Sequence, residues 1–393
     1  MTTTDAAARR SMTDAAVEAA LGTVARNIPT FATKFPADTT CAGVYPYRPA
    51  SGDLPEGSNY GWTTSFWPGQ LWLATELTGE SSFHDAARTH VASFATRVRD
   101  RVDLDTHDLG FLYTLACVTA WRRDGDVVAR DAALAAADAL ILRFLEPAGI
   151  IQAWGDLGDP RQSGRTIIDS LMNMPLLRWA TVESGDTRYA EAARRHTVQL
   201  RDHIVRPDGS TFHTYFWDSV SGAPLRGATE QGESDVSCWA RGQAWGIFGF
   251  ALAYRETGDA SLLDASLRCA DYYLDHLPPD GVPFWDLSLV GVERDGSAAA
   301  IAACGLDELA RVLPAENGDR ESYADEARRA VDALIAGYTP APGSGSNALL
   351  LHGVYDKPKG IGVDEANLWG DYYYLEALTR RTVPDWVSYW WVG

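Results

Sequence analysis

Two acidic residues stand out by their company. Asp108 follows His107 in the run His107-Asp108-Leu109-Gly110-Phe111, and Asp169 opens the run Asp169-Ser170-Leu171-Met172-Asn173-Met174-Pro175. A pair of carboxyl groups suits acid/base chemistry, because one can hold a proton while the other stays charged. Around them the chain carries Trp62, Trp154 and Trp245, with His213, Gln231 and Arg241. Indole faces stack on a pyranose, and planar amide and guanidinium groups bind hydroxyls and carboxylates. This is the composition of a sugar site.

Taken singly, each residue has an ordinary structural reading. An Asp at a helix start is usually an N-cap. A lone His such as His107 or His213 is usually a hydrogen-bonded structural residue. Trp62, Trp67 and Trp72 read equally well as core, Arg241 as half of a buried ion pair, and Asp156 and Asp159 as turn residues. Other chemistries have less support. No HxxxH, HExxH or Cys/His spacing suggests a metal. The glycines from Gly158 to Gly164 lack the Lys-Ser/Thr ending of a phosphate loop, and no dinucleotide fingerprint or other cofactor motif appears.

A repeat shows how these residues are positioned. Five segments share a helix end, a Gly-containing turn and a polar helix start; their glycines are Gly79, Gly125, Gly185, Gly258 and Gly318. A Gly just past a helix end supplies the left-handed residue, and a following Asp or Ser caps the next helix. Each unit is then a tight αα-hairpin. The spacing predicts twelve helices, at 12–28, 67–78, 83–99, 108–121, 127–145, 169–183, 187–204, 239–256, 261–277, 295–312, 320–338 and 367–380. In the helix at 261–277, Leu263, Leu267, Ala270, Leu274 and Leu277 mark the expected buried face. Short strands are expected only near 211–217 and 282–286.

Short turns alternate with long connections, six times over. That pattern describes an all-α fold, an (α/α)6 barrel of six helical hairpins; an open superhelical array is the alternative. The last helix pairs with the first, which favours closure. The runs holding His107, Asp108, Asp169, Arg241 and Trp245 then fall at the starts of the inner helices, so the active site is expected at the long-loop end. The loop from His352 to Gly360 should overhang it, with Lys357 and Lys359 able to meet an anionic group.

Composition bounds the rest. The 393 residues carry 34 Lys+Arg against 53 Asp+Glu, a net charge of −19. Such a chain is poorly suited to nucleic acid or an anionic membrane surface. With 46% hydrophobic and 22% charged residues it is an ordinary globular protein, expected to be a single catalytic domain over 1–393. Five scattered cysteines and an N-terminus without an apolar run predict a cytoplasmic protein. Oligomeric state is not legible.

From about Trp62 to Tyr374 the sequence resembles the unsaturated glucuronyl hydrolases of glycoside hydrolase family 88. The resemblance rests on His107–Phe111, Asp169–Pro175, the run from Thr229 through Gly246, and Trp369-Gly370-Asp371-Tyr372-Tyr373. Family 105, which acts on unsaturated rhamnogalacturonan fragments, is the close competitor. The resemblance implies removal of a 4,5-unsaturated uronic acid from lyase-generated di- or oligosaccharides, without metal or cofactor. It makes Asp169 the acid/base and Asp108 its partner. It makes His107, His213, Gln231 and Arg241 substrate-binding residues, and Trp62, Trp154 and Trp245 stacking walls. An inverting glycosidase, a sugar epimerase using His107 and His213, and a non-catalytic sugar-binding protein are the competing classes.

Overall fold

A computed structural model describes residues 3–159 and 162–391. The two ends of the expected 1–393 domain, and Pro160 and Arg161, lie outside the described residues. The helices are α1 (Thr3–Asn27), α2 (Phe66–Thr78), α3 (Ser81–Arg99), α4 (Leu109–Tyr113), α5 (Thr119–Asp124), α6 (Val127–Ile141), α7 (Met174–Ser184), α8 (Thr187–His203), α9 (Ala240–Thr257), α10 (Ala260–Asp275), α11 (Gly296–Val312), α12 (Arg320–Gly337) and α13 (Leu368–Thr382). A π-helical turn, Thr114–Val118, joins α4 and α5 into one rod, and a 3₁₀ turn, Ile168–Asn173, leads into α7.

These rods close into a ring. Each of α2, the α4–α5 rod, α7 with its 3₁₀ turn, α9, α11 and α13 touches the next, and α13 returns to α2. The helices α3, α6, α8, α10 and α12 back them from outside, and α1 packs on α2, α12 and α13 in the sixth outer place. This is the expected (α/α)6 barrel. Burial follows the layers: every residue from Ala240 to Ala253 of α9 is buried. Outer α8 instead buries one face, through Tyr189, Ala192, Ala193, His196, Thr197 and Leu200.

Four of the five glycine turns form as expected. Gly79, Gly125, Gly185 and Gly258 end inner helices with φ between 66° and 77°. Asp126, Asp186 and Asp259 then cap α6, α8 and α10. Glu80 precedes α3 without a side-chain cap. Gly318 is an exception: it has no positive φ, and α11 ends at Val312, with Leu313 extended before Pro314. Proline forces its predecessor out of the helical region.

The face expected in α10 is out of phase by one residue. Of the expected residues Ala270 is buried, together with Leu262, Ala265, Ser266, Cys269 and Tyr273, while Leu263, Leu267, Leu274 and Leu277 are half-buried beside them. Small residues face α9 because the helices come close; a Cβ on Gly246 would lie 3.1 Å from Cys269 Sγ.

The long loops carry more strand than expected. Three small antiparallel sheets form: β1 (Phe144–Leu145) with β2 (Ile150–Ile151), β3 (Arg165–Ile167) with β4 (Thr214–Trp217) and β5 (Pro224–Ala228), and β6 (Gly353–Asp356) with β7 (Ile361–Glu365). The strand expected near 211–217 is β4. Near 282–286 only isolated bridges form, Phe284 with Arg294 and Asp286 with Trp239. At the short-turn end the C-terminal tail folds under the ring. Trp390 stacks on Tyr373 and donates from Nε1 to Glu376 at 3.0 Å.

The tightest inner-helix contact joins the two acidic runs. A Cβ on Gly110 would lie 2.2 Å from Asn173 Cα and 2.4 Å from its carbonyl oxygen. Gly110→Ala must therefore push backbone apart. Overpacking of this kind costs about 1–3 kcal/mol, or more where backbone must move. Chemical denaturation should show a loss of about 3 kcal/mol or above. Gly79→Ala, strained in φ but with open space around it, should lose only about 1 kcal/mol. A Gly110→Ala protein as stable as wild type would mean that the two runs are not held at backbone contact.

Candidate active site

The inner helices begin around a cavity of about 260 Å³ at the long-loop end. All nine residues drawn from the sequence line it: Trp62, His107, Asp108, Trp154, Asp169, His213, Gln231, Arg241 and Trp245. His107 and Asp108 immediately precede α4, and Arg241 and Trp245 lie in the opening turns of α9. Asp169 sits in the 3₁₀ turn, held by the central sheet. Ile167 of β3 pairs with Thr214 of β4, and Ile168 N donates to His213 O at 3.1 Å. One ladder thus fixes Asp169 beside His213.

Neither acid is an ordinary cap. Asp108 stands at the N-cap position of α4 but makes no side-chain cap bond. Its Oδ2 accepts from the Thr106 hydroxyl at 2.7 Å, and its Oδ1 lies 3.3 Å from His107 Nε2. The same Nε2 lies 3.5 Å from Asp169 Oδ1, an oxygen that makes no hydrogen bond among the described residues. One buried imidazole therefore bridges both carboxyl groups.

Their environments drive them apart. Burial pushes the Asp169 carboxyl up to about 7; His107 opposes the rise, Asp108 reinforces it and Arg241 opposes it. Burial pushes Asp108 upward too. There the charge and hydrogen bond of His107, with the Thr106 hydroxyl, outweigh burial and hold the group below its ordinary value. Burial disfavours a charge on His107, but Asp108 and Asp169 overcome it and raise its pKa. The favoured arrangement near neutrality is a charged Asp108 and imidazolium beside a protonated Asp169. A helix N-terminus would favour a charged Asp169. The 3₁₀ turn sets it ahead of α7, where burial dominates.

The binding side is wired through Arg241. Its NH1 donates to Asp295 Oδ2 at 2.9 Å and Val354 O at 2.6 Å. Its NH2 donates to Gln231 Oε1 at 2.7 Å and Tyr355 O at 2.9 Å. The guanidinium lies over Trp239 and Trp369, 4.2 and 5.1 Å from their ring centroids. Arg241 is thus both the buried ion pair and a cavity wall, its charge delivered with most of its N–H groups committed. Gln231 accepts with its oxygen, which turns its NH₂ into the free donor. His213 Nδ1 accepts from the backbone N–H of Glu230 at 2.9 Å and of Gln231 at 3.2 Å. Burial, with Arg241, Lys359 and His107, lowers its pKa to about 3. A neutral ring accepting at Nδ1 carries its proton on Nε2.

The tryptophans play unequal parts. Trp62 is half-buried and donates to Tyr355 Oη at 3.0 Å. Trp154 is half-buried with the Arg165 guanidinium 5.4 Å from its ring centroid. Trp245 is buried edge-on against Phe111 and Tyr373 and forms the floor. Trp67 and Trp72 are core. Asp156 shapes its turn, accepting from Gly158 N.

Five further residues line the cavity: Ile167, Glu230, Trp239, Tyr355 and Lys359. Trp239 lay within the quoted run, two residues before Arg241, and its ring packs on His213 at 4.4 Å. Lys359 belongs to the loop expected to overhang the site. Tyr355 belongs to the same loop; the pairing of β6 with β7 that holds it there is what the sequence did not suggest.

Residues 43–277 match the model of Glycosyl Hydrolase Family 88. The chain is 44% identical over 367 residues to an unsaturated chondroitin disaccharide hydrolase of Streptococcus pneumoniae, covering 93% of this chain and 90% of that protein. It superposes with a TM-score of 0.89 and 41% identity on the crystal structure of the unsaturated glucuronyl hydrolase of Bacillus sp. GL1, covering 96% and 98% of the two chains. With the unsaturated glucuronyl hydrolase of Streptococcus agalactiae the TM-score is 0.91 at 42% identity, covering 96% and 94%.

The raised Asp169 has a consequence for stability. The folded chain keeps this proton to about pH 7, whereas the unfolded chain releases it at the ordinary carboxylate value. The stability it contributes is full in acid and is lost as pH rises through 7. Each pH unit between the two values is worth about 1.4 kcal/mol. Asp169→Asn does not titrate, so its melting temperature should gain on wild type as pH rises from about 5 to about 8. Melting curves that stay parallel across that range would mean an ordinary carboxyl.

Proposed function

The chain belongs to glycosyl hydrolase family 88, and on that premise we propose that it removes the 4,5-unsaturated uronic acid from the non-reducing end of lyase-generated di- or oligosaccharides. The reaction is hydration of the C4=C5 double bond. The observation that carries this reading is the buried, proton-holding Asp169 joined to a charged Asp108 through one imidazole nitrogen.

The bond C4=C5–O5 is an enol ether. Asp169 gives its proton to C4, and positive charge develops on C5 and O5. The ionised Asp169 then takes a proton from the water that attacks C5. The resulting hemiketal opens and releases the remaining sugar. One group serves as acid and then as base, and no carboxylate nucleophile is required. Asp108 stays charged, binds ring hydroxyls and sustains the cationic centre. The uronate carboxylate is met by the Gln231 amide and His213 Nε2–H, with the charge of Arg241 behind them. Trp62 and Trp154 offer their faces to the sugar.

An inverting glycosidase acting on saturated sugars is disfavoured by the family match. Both carboxyl groups reach the same imidazole nitrogen, which ties their protonation states together. The reading also takes the chain as one catalytic domain acting in the cytoplasm. Its free cysteines support a reducing compartment. No helix of the described residues is long and apolar enough to cross a membrane.

The test is loss of the ultraviolet absorbance of the conjugated double bond when enzyme meets an unsaturated disaccharide. Asp169→Asn should fold and lower kcat by a factor of about 10⁴, the upper end for a positioned acid/base. In wild type, kcat/KM should fall as pH rises above about 7, where Asp169 loses its proton. In heavy water, early product must carry one deuterium at C4, read before exchange beside the new ketone. Product without it, or a fully active Asp169→Asn enzyme, would rule out hydration by this residue.

A further inference from the structure

Arg143 lies between α6 and β1, outside the ring of inner helices, and its side chain is buried. It lines no part of the cavity, yet its donors run to the turn that carries Trp154. Its Nε donates to Gln152 O and its Nη2 to Gly155 O, both at 3.0 Å. Gln152 Nε2 adds donations to Trp154 O and Gly155 O, both at 3.2 Å. The remaining carbonyl, Ala153 O, accepts the backbone N–H of His107 at 2.7 Å. The carbonyls of residues 152 to 155 are thus all met, as backbone withdrawn from water requires.

This wiring joins a stacking wall to the acid pair. Trp154 forms a β-bridge with Thr106, whose hydroxyl holds Asp108 Oδ2 at 2.7 Å. A shift of the Trp154 turn therefore pulls on both His107 and Asp108. The charge of Arg143 is only loosely offset, because Asp105 Oδ1 stands 3.9 Å away on a side chain 94% exposed. Its field opposes a charge on His107 and favours one on Asp108. The other charged or titratable groups that act on Asp108 are His107, Asp169, Tyr355 of β6 and Arg97 of α3. Arg97 is itself paired with Asp103.

We infer that Arg143 is a positioning residue for this reaction, fixing the Trp154 face against the sugar and the Thr106–Asp108 run beside it. Its second contribution is a positive charge that helps Asp108 stay ionised. The inference rests on the proposed hydration, which needs both a stacked ring and a charged Asp108.

The experiment follows absorbance loss from an unsulfated unsaturated chondroitin disaccharide as a function of pH. Arg143→Lys keeps the charge and loses the paired donation, so KM should rise about fivefold, the worth of a misplaced aromatic contact. In a Trp154→Ala background the same change should raise KM no further, because the face it positions is gone. Activity falls in acid as Asp108 gains a proton. Arg143→Gln should move that acid limb to higher pH, whereas Arg143→Lys should leave it in place. Gln152→Leu strips donors from the same turn without touching the charge. It should raise KM with an unmoved acid limb, and it carries the test if an arginine variant does not fold. A wild-type KM in folded Arg143→Lys or Gln152→Leu overturns the inference. So does an undiminished KM rise in the Trp154→Ala background, or an acid limb that Arg143→Gln leaves unmoved. Failure of the reaction itself is distinct: wild type then leaves the absorbance unchanged, and both readings fall together.

Discussion

The arrangement depends on a backbone contact between two runs that are far apart in sequence. Gly110 approaches Asn173 so closely that no side chain fits between them. Asn173 Oδ1 accepts the Phe111 N–H at 2.8 Å, which locks the register of that contact. Asp108 lies two residues before the glycine, and Asp169 four before the asparagine. Holding Gly110 on Asn173 therefore brings both carboxyl groups to one imidazole. Arg241 on α9 tolerates more give, because its guanidinium meets its partners at the end of a long side chain. The acid pair does not, since a shift of an ångström would separate the charges that tune it.

That tuning makes the site costly to build. Asp169 Oδ1 is buried without a hydrogen bond, and an unmet polar atom of this kind costs about 1–3 kcal/mol. A hydrogen-bond donor to that oxygen would remove the cost and favour the ionised form, destroying the proton donor. His107 resolves the conflict by charge. It holds Asp108 ionised at 3.3 Å and stands slightly farther, at 3.5 Å, from Asp169. Stability is sacrificed locally so that the two carboxyl groups differ.

Much of this was legible in the residues, for particular reasons. Helix period, glycine turns and alternating loop lengths are local signals, and they carried the ring and its long-loop end. His107, Asp108 and Asp169 were legible because such residues rarely cluster at helix starts without a task. Pairing partners far along the chain were not legible. Val354 and Tyr355 reach Arg241 only through the β6–β7 hairpin, whose second strand, Ile361-Gly362-Val363-Asp364-Glu365, is too polar and glycine-rich to announce itself. The phase of α10 was misread because leucines outrank alanine and cysteine in hydrophobicity, whereas close helix packing selects the small side chains. Gly318 was grouped with the other turn glycines by its neighbours, but Pro314 had already ended the helix.

The two ends of the barrel divide the work. At the short-turn end, Arg380 holds Glu376, Glu308 and Asp307, and Arg255 reaches Glu308. Breaking one partner of such a buried set typically costs about 3–5 kcal/mol, so this end resists distortion. The tail ring Trp390 continues the support upward by stacking on Tyr373 of α13, which packs on Trp245, the floor of the cavity. Aromatic packing thus runs from the closed end to the underside of the site. The loop end can then afford an unbonded carboxyl oxygen and non-glycine residues at positive φ, Ala42, His352 and Asp364 among them. Strain at the mouth persists because the ring beneath it has no low-energy way to relax.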